Sequence, residues 1–328
     1  YDKRQYELAG KLFEQSTRDE PDNYMTWRSL AIACFSHLNR AAEAMPLMQK
    51  ALSMTDSEAV LYETVILMDQ QNAAPADKIA LLAPRAASMH RDDLFVELAK
   101  AYNQARQPEK AREMLLGHVF TACEGGEHAI ADQYMYSFFQ QGMQAKAAGD
   151  FEAALSIFRQ ALTLPASLGA GIWNRCKYVP YQYQIAVCLE KLGRKAEADE
   201  IFREILDIEI EFFSKMHLRE LPWYQALSAE HLGLQQKAWN LMGTAKRVWT
   251  EELDKVDNGF FATTPFFISF AQPASELRKA YYGYLLGLVS LYEGENEKAA
   301  EWFRASSARN SDNMFCQYFK NALTDQGF

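Results

Sequence analysis

Six histidines, five cysteines and one glycine-rich turn are the residues of this chain whose types could carry chemistry. His37, His90, His118, His128, His217 and His231 form no HxxxH or HExxH pair, the spacing that would put two imidazoles on one helix face toward a zinc ion. His118 and His128 lie on either side of Gly125-Gly126, with Glu124 and Glu127 beside them. Those side chains have metal-donor chemistry. The carboxylates equally suit the start of the next helix, where exposed N–H groups and the dipole favour negative charge. Cys34, Cys123, Cys176, Cys188 and Cys316 are odd in number and scattered, with no CxxC, so neither a zinc knuckle nor a disulfide framework is expected and a reducing, cytoplasmic setting fits. Gly169-Ala170-Gly171 lacks the preceding strand and the GK[ST] of a phosphate loop and reads as a linker. No G-x-S-x-G occurs, and no Cys stands beside a His as a nucleophile would. The carboxylates fall on solvated helix faces, as in 197–204 and 293–301. The expectation is no catalytic residue, no metal and no cofactor: not an enzyme.

Composition narrows the partners. The chain has 328 residues, 49% of them hydrophobic and 23% charged, which places it among globular proteins able to bury a large core. Its net charge of −9 argues against nucleic acid, whose binding needs clustered Lys and Arg. The longest apolar stretch, around 281–292, is too short and too interrupted by glycine to span a bilayer, and the N-terminus does not read as a signal peptide.

The elements that would position any site repeat along the chain. Trp27, Leu30-Ala31, Asn39, Ala44, Met48 and Ala51 set out a skeleton: a large residue, Leu-Ala one turn later, a turn residue, then a second helix with small residues at fixed places. The skeleton returns at Phe95, Leu98-Ala99, Tyr102, Ala111 and Leu115, and again at Phe138, Gly142, Gly149, Ala154, Phe158 and Ala161. It returns at Ile185-Ala186, Gly193, Ala198 and Phe202, at Ala226, Gly233, Ala238 and Met242, and at Leu286-Gly287, Gly294, Ala299 and Phe303. Small residues let two helices approach, large ones fill the gaps, and the turn residue reverses the chain. From Ala9 to Ala44 is 35 residues and from Ala44 to Ala111 is 67, two repeats of which 58–89 is the degenerate one; later intervals lengthen to 43, 44, 40 and 61. This pattern resembles the tetratricopeptide repeat, two antiparallel helices in about 34 residues.

Apolar period, caps and breakers predict about 16 helices, near 2–18, 23–38, 41–54, 57–71, 76–89, 92–105, 108–121, 128–148, 151–163, 175–192, 195–216, 219–232, 234–256, 274–293, 296–309 and 312–325, with no strand. The resemblance implies an all-α, right-handed superhelix of antiparallel helix pairs, one continuous array. It would be regular over 1–126 and elaborated over 127–328, with long insertions at 165–174 and 257–273. Residues 1–22 align with only the second helix of a repeat, so a fragment of a longer chain is expected.

Three further segments, Cys123–Glu127, Leu164–Gly171 and Phe260–Pro265 followed by Tyr284–Leu288, are similar to the C-terminal repeat region of large bacterial proteins with an upstream domain of unknown function. That likeness covers roughly residues 110–328; it implies an upstream part that acts on carbohydrate.

In tetratricopeptide repeats the first helix of each pair lines a concave groove. Carried onto this sequence, the inward positions include Lys100 and Asn103, then Tyr136 and Phe139, Tyr183, Trp223, and Tyr281 with Tyr284. These aromatics would either line a peptide- or sugar-binding groove or fill a core closed by curvature. The family's Lys/Asn/Arg clamp for acidic peptide ends is not repeated, since Lys100-Asn103 stands without companions. The segment 257–273 carries Phe260, Phe261, Phe266, Phe267 and Phe270, too many apolar side chains to leave in water, so it is expected to act as a plug over the groove or as an interface. The leading expectation is a protein- or peptide-binding scaffold. The alternatives are an accessory domain packed on an upstream carbohydrate-active domain, and a homo-oligomerisation module.

Overall fold

The computed structural model describes residues 5–121, 127–169, 171, 175–209, 220–255, 270 and 273–324. Among the described residues every regular element is helical: sixteen α-helices and three 3-10 helices, with no strand. By its internal contacts the chain divides into two compact units, one drawn from 1–97 and 257–277, the other from 98–256 and 278–328.

The first unit holds α1 (Tyr6–Asp19), α2 (Tyr24–Ser36), α3 (Ala41–Leu52), α4 (Glu58–Gln70), α5 (Pro75–Leu82) and the start of α6 (Asp92–Gln104). The Asn23 side chain caps α2 by accepting from Met25 N at 3.1 Å. α2 packs on both α1 and α3, and α3 on α4. Their small faces close over a core of Ala31, Ala44, Met48, Ala51, Val60 and Leu67. Phe270 belongs to that core: it is fully buried, with its ring edge-on to Phe35 at 5.4 Å. Two ion pairs tie neighbouring helices, Arg28 to Glu63 and the buried Lys78 to Asp69. The helix expected over 76–89 is α only to Leu82, and 83–88 is a 3-10 turn. Pro84 has no N–H to give to an α-helical carbonyl, and its ring clashes with the preceding turn.

The second unit runs from the end of α6 through α7 (Pro108–Leu116), α8 (Glu127–Ala147), α9 (Phe151–Ala161), α10 (Val179–Lys191), α11 (Lys195–Leu206), α12 (Leu221–His231), α13 (Gln235–Leu253), α14 (Ala274–Tyr292), α15 (Asn296–Arg309) and α16 (Met314–Thr324). Three helices are shorter than expected. The helix predicted over 108–121 stops at Leu116, and residues 175–178 wind as a 3-10 turn before α10. The helix predicted over 195–216 stops at Leu206, and the Gln225 amide of α12 satisfies carbonyls at and just past that end: Nε2 donates to Ile205 O, Leu206 O and Ile208 O at 3.0–3.3 Å. Residues 210–216 of that expectation lie outside the described residues.

One local device builds the helix pairs in both units. The turns of α2/α3, α4/α5 and α6/α7 hold Asn39, Asn72 and Arg106 at φ 53–58°, and the turns of α8/α9, α10/α11, α12/α13 and α14/α15 hold Gly149, Gly193, Gly233 and Gly294 at φ 76–80°. In six of these seven turns the next residue donates its N–H to the carbonyl five positions back, from Ala73, Gln107, Asp150, Arg194, Leu234 and Glu295, at 2.8–3.0 Å. That bond satisfies a carbonyl left over at the helix end while it reverses the chain. Across two of these pairs, α8/α9 and α14/α15, a glycine admits a phenylalanine ring. A Cβ on Gly142 would come within 2.4 Å of the Phe158 ring, and one on Gly287 within 2.5 Å of Phe303.

Candidate interaction surface

The first helices of the pairs in the second unit carry the aromatics singled out from sequence, and their close packing sets what those rings can do. Tyr136 and Phe139 on α8, Tyr183 on α10, Trp223 on α12 and Tyr284 on α14 are each at least nine-tenths buried. Tyr281 is half-buried and donates its hydroxyl to Glu220 Oε2 at 2.9 Å. Phe139 lies within a ring cluster, with Tyr136 at 6.0 Å, Tyr181 at 5.9 Å and Phe158 at 6.2 Å.

Tyr136, Phe139 and Trp223 are covered by α16, the last of the described helices. Phe315 on α16 stands edge-on to Phe139 at 5.0 Å and to Tyr136 at 5.5 Å, and Tyr318 meets Phe139 at 5.3 Å. One turn on, Phe319 meets Trp223 at 5.7 Å and stacks on Phe303 at 5.5 Å; Phe303 in turn touches Tyr284 at 6.0 Å. Polar contacts fix the register. Tyr136 donates to Met314 O at 2.9 Å, Gln104 Nε2 donates to Ser311 O at 3.2 Å, and Lys100 pairs with Asp312 at 2.9 Å. The Lys100-Asn103 pair noted from sequence is thus engaged within the chain. Lys100 holds Asp312, and Asn103 Nδ2 donates to Gln133 O and Oε1 at 3.0 and 2.9 Å.

Tyr183 is placed differently. Its neighbours are Phe202, Tyr224 and His231, and its hydroxyl lies 3.2 Å from His231 Nε2, while His231 Nδ1 sits 2.9 Å from Glu190. Of the segment 257–273, Phe270 lies in the core of the first unit. Phe260, Phe261, Phe266 and Phe267 lie outside the described residues.

Burial governs the ionisation of this surface. It pushes the hydroxyls of Tyr136, Tyr181, Tyr224 and Tyr284 upward, and that of Tyr318 to about 12. At neutral pH each therefore remains a neutral phenol able to donate a hydrogen bond. Beside Tyr136, along the edge of α16, is a cavity of about 190 Å³ lined by the amides of Asn103, Gln140, Gln317 and Asn321 and the rings of Tyr136 and Tyr318. The orientation of two of these amides is set by their donors. Asn103 donates to Gln133, and Gln140 Nε2 donates to Asn103 O at 2.7 Å. Asn103 Oδ1 and Gln140 Oε1 are left buried without a hydrogen-bond partner in the protein.

Among the described residues no three His, Cys, Asp or Glu side chains converge as metal ligands would, and no helix is long and apolar enough to cross a membrane. His118 packs edge-on to Phe120 at 4.7 Å, and residues 122–126 between it and His128 lie outside the described residues.

Sequence reasoning missed the partners of the aromatic row, Phe315, Tyr318 and Phe319. Their i, i+3, i+4 spacing on a short C-terminal helix is the signal that was available.

Comparison with known proteins gives the following. Two sequence models described as tetratricopeptide repeat match residues 1–59 and 179–209. No curated protein matches the chain. Among solved structures, the chain is similar to a tetratricopeptide repeat protein from Parabacteroides merdae at 14% identity and a TM-score of 0.44, over 92% of this chain and 99% of that one. It is similar to Naa15/Naa10 bound to HypK-THB at 14% identity and a TM-score of 0.42, over 98% of this chain and 60% of the other. A third similarity is to the human IFIT1 dimer with m7Gppp-AAAA, at 15% identity and a TM-score of 0.40, over 92% and 67%.

Proposed function

Because the chain carries tetratricopeptide repeats, we propose that it is a non-catalytic scaffold that recognises a protein or peptide through the aromatic row on the first helices of its second unit. The observation that carries this reading is the seating of α16. Tyr136, Phe139 and Trp223 receive Phe315, Tyr318 and Phe319, while Lys100 and Tyr136 hold the polar end of the same helix. A surface with the spacing, rings and hydrogen-bond donors to seat one helix has what is needed to seat another. Aromatic side chains combine large contact area with a polar handle, which makes them frequent recognition hot spots. Helix-in-groove binding is a general mode for such surfaces.

The test is a selection from a displayed library of helical peptides against the intact chain. Binders should saturate at one site and lose at least about tenfold in affinity on Lys100→Glu, a change that reverses the charge facing an acidic residue. Binders indifferent to Lys100→Glu would put the recognition site elsewhere and overturn the reading.

A further inference from the structure

We infer that α16 is an exchangeable internal ligand: it occupies the site of an amphipathic helix supplied in trans, whose pattern is an acidic residue followed by aromatics at the third, sixth and seventh positions after it. This rests on the reading above and adds the occupant and its control.

The pattern is read from the helix itself. Asp312 meets Lys100, and Phe315, Tyr318 and Phe319 meet the rings of α8 and α12. Asn313 caps the helix by accepting from Cys316 N at 2.9 Å, so the short turn 310–313 both starts the helix and presents the acid.

Two features make the seating reversible. α16 has only 11 residues, and a helix of that length is marginal on its own, so its order depends on docking. The seam beside it is also incompletely filled. The cavity of about 190 Å³ lies along its edge, lined on one side by the amides of Asn103 and Gln140 and on the other by Gln317, Tyr318 and Asn321 of α16. Behind the seat, Phe303 of α15 is fully buried against Gly287 of α14. Opening is thus expected to be local to α16, as one of the low-stability units of the fold.

Cys316 reports on that opening without any substitution. It lies on α16, 1% exposed, with its thiol donating to Phe303 O at 3.5 Å. Cys34 and Cys188 are equally buried in α2 and α10. Iodoacetamide is added to the intact folded chain at concentrations where labelling is proportional to reagent, and each thiol is followed by mass spectrometry. Cys316 should be modified about tenfold or more faster than Cys34 and Cys188, through local opening. Its rate should rise further, saturably, on addition of a synthetic peptide of residues 311–324 carrying Cys316→Ser, which captures the vacated seat. The same peptide with Phe315→Ala and Phe319→Ala should leave the rate unchanged. Equal rates for the three thiols, or a Cys316 rate insensitive to the peptide, would overturn the inference, because α16 would then be a fixed part of the core. No outside partner enters this measurement, so its failure leaves the scaffold reading to its own test.

Discussion

Single residues set how closely the helices approach. Gly142 and Gly287 occupy equivalent places in their pairs, and in each the space of a methyl group is taken by a phenylalanine ring of the second helix. Gly142→Ala should therefore destabilise the fold by about 1–3 kcal/mol despite its better helix propensity, because the extra carbon meets the fully buried Phe158. Denaturant unfolding measures it; a neutral or stabilising outcome would mean that the pair can spread without cost. Trp223 poses the complementary case. It is 8% exposed, in ring contact with Tyr224 and Phe319, and its Nε1 is buried without a hydrogen-bond partner. Trp223→Ala should cost about 3–5 kcal/mol in stability, whereas Trp223→Phe should cost much less, since a ring still fills most of the site. If Trp223→Ala leaves the thermal midpoint unchanged, the ring is not part of the packing described.

At the scale of elements, the pairs were legible in sequence and the seat of the last helix was not. Gly149, Gly193, Gly233 and Gly294 announce left-handed turns, and the Gly142/Phe158 and Gly287/Phe303 alternations announce close helix contacts; both signals act over a few residues or one pair. In the first unit Asn39, Asn72 and Arg106 fill the same turns, so the glycine signal is absent although the conformation is the same. The ends of α5 and α11 were overestimated because apolar periodicity continues past Pro84, which breaks the hydrogen-bonded ladder, and past Leu206, where the Gln225 amide takes the end carbonyls. The docking of α16 depends on contacts such as Tyr136 with Met314, 178 residues apart in sequence, and no local pattern encodes them. Phe270 is similar: its ring partner Phe35 is more than two hundred positions away. Phe270→Ala should lower the stability of the first unit by about 3–5 kcal/mol, read as earlier loss of hydrogen-exchange protection in α2 and α3. Unchanged protection there would contradict its place in that core.

For the molecule as a whole, burial of neutral thiols and phenols couples folding to alkaline pH. It pushes Cys188 up to about 11 and Cys316 to about 12, and raises Tyr136, Tyr181, Tyr224 and Tyr284. In each case the folded pKa lies above the unfolded value, so the contribution to stability is complete below the ordinary thiol and phenol values. It is lost as pH rises toward the folded values. Lys146 and Lys320, pushed down by burial, act in the opposite sense and are outnumbered. Stability measured by urea unfolding should therefore begin to fall near pH 9 and continue falling to pH 11; a rise over that interval would contradict the burial described. The central claim, that the aromatic row of the second unit is a seat for a helix, is tested most directly by filling it from outside. In the full chain carrying Phe315→Ala and Phe319→Ala, the chain's own helix is disabled while its Lys100, Tyr136, Phe139 and Trp223 remain. A fluorescent peptide of residues 311–324 should bind this chain saturably, with circular dichroism confirming that the chain is folded, and adding Lys100→Glu should weaken binding at least about tenfold. A folded chain that binds no peptide, or binds it equally well with Lys100→Glu, would contradict the account.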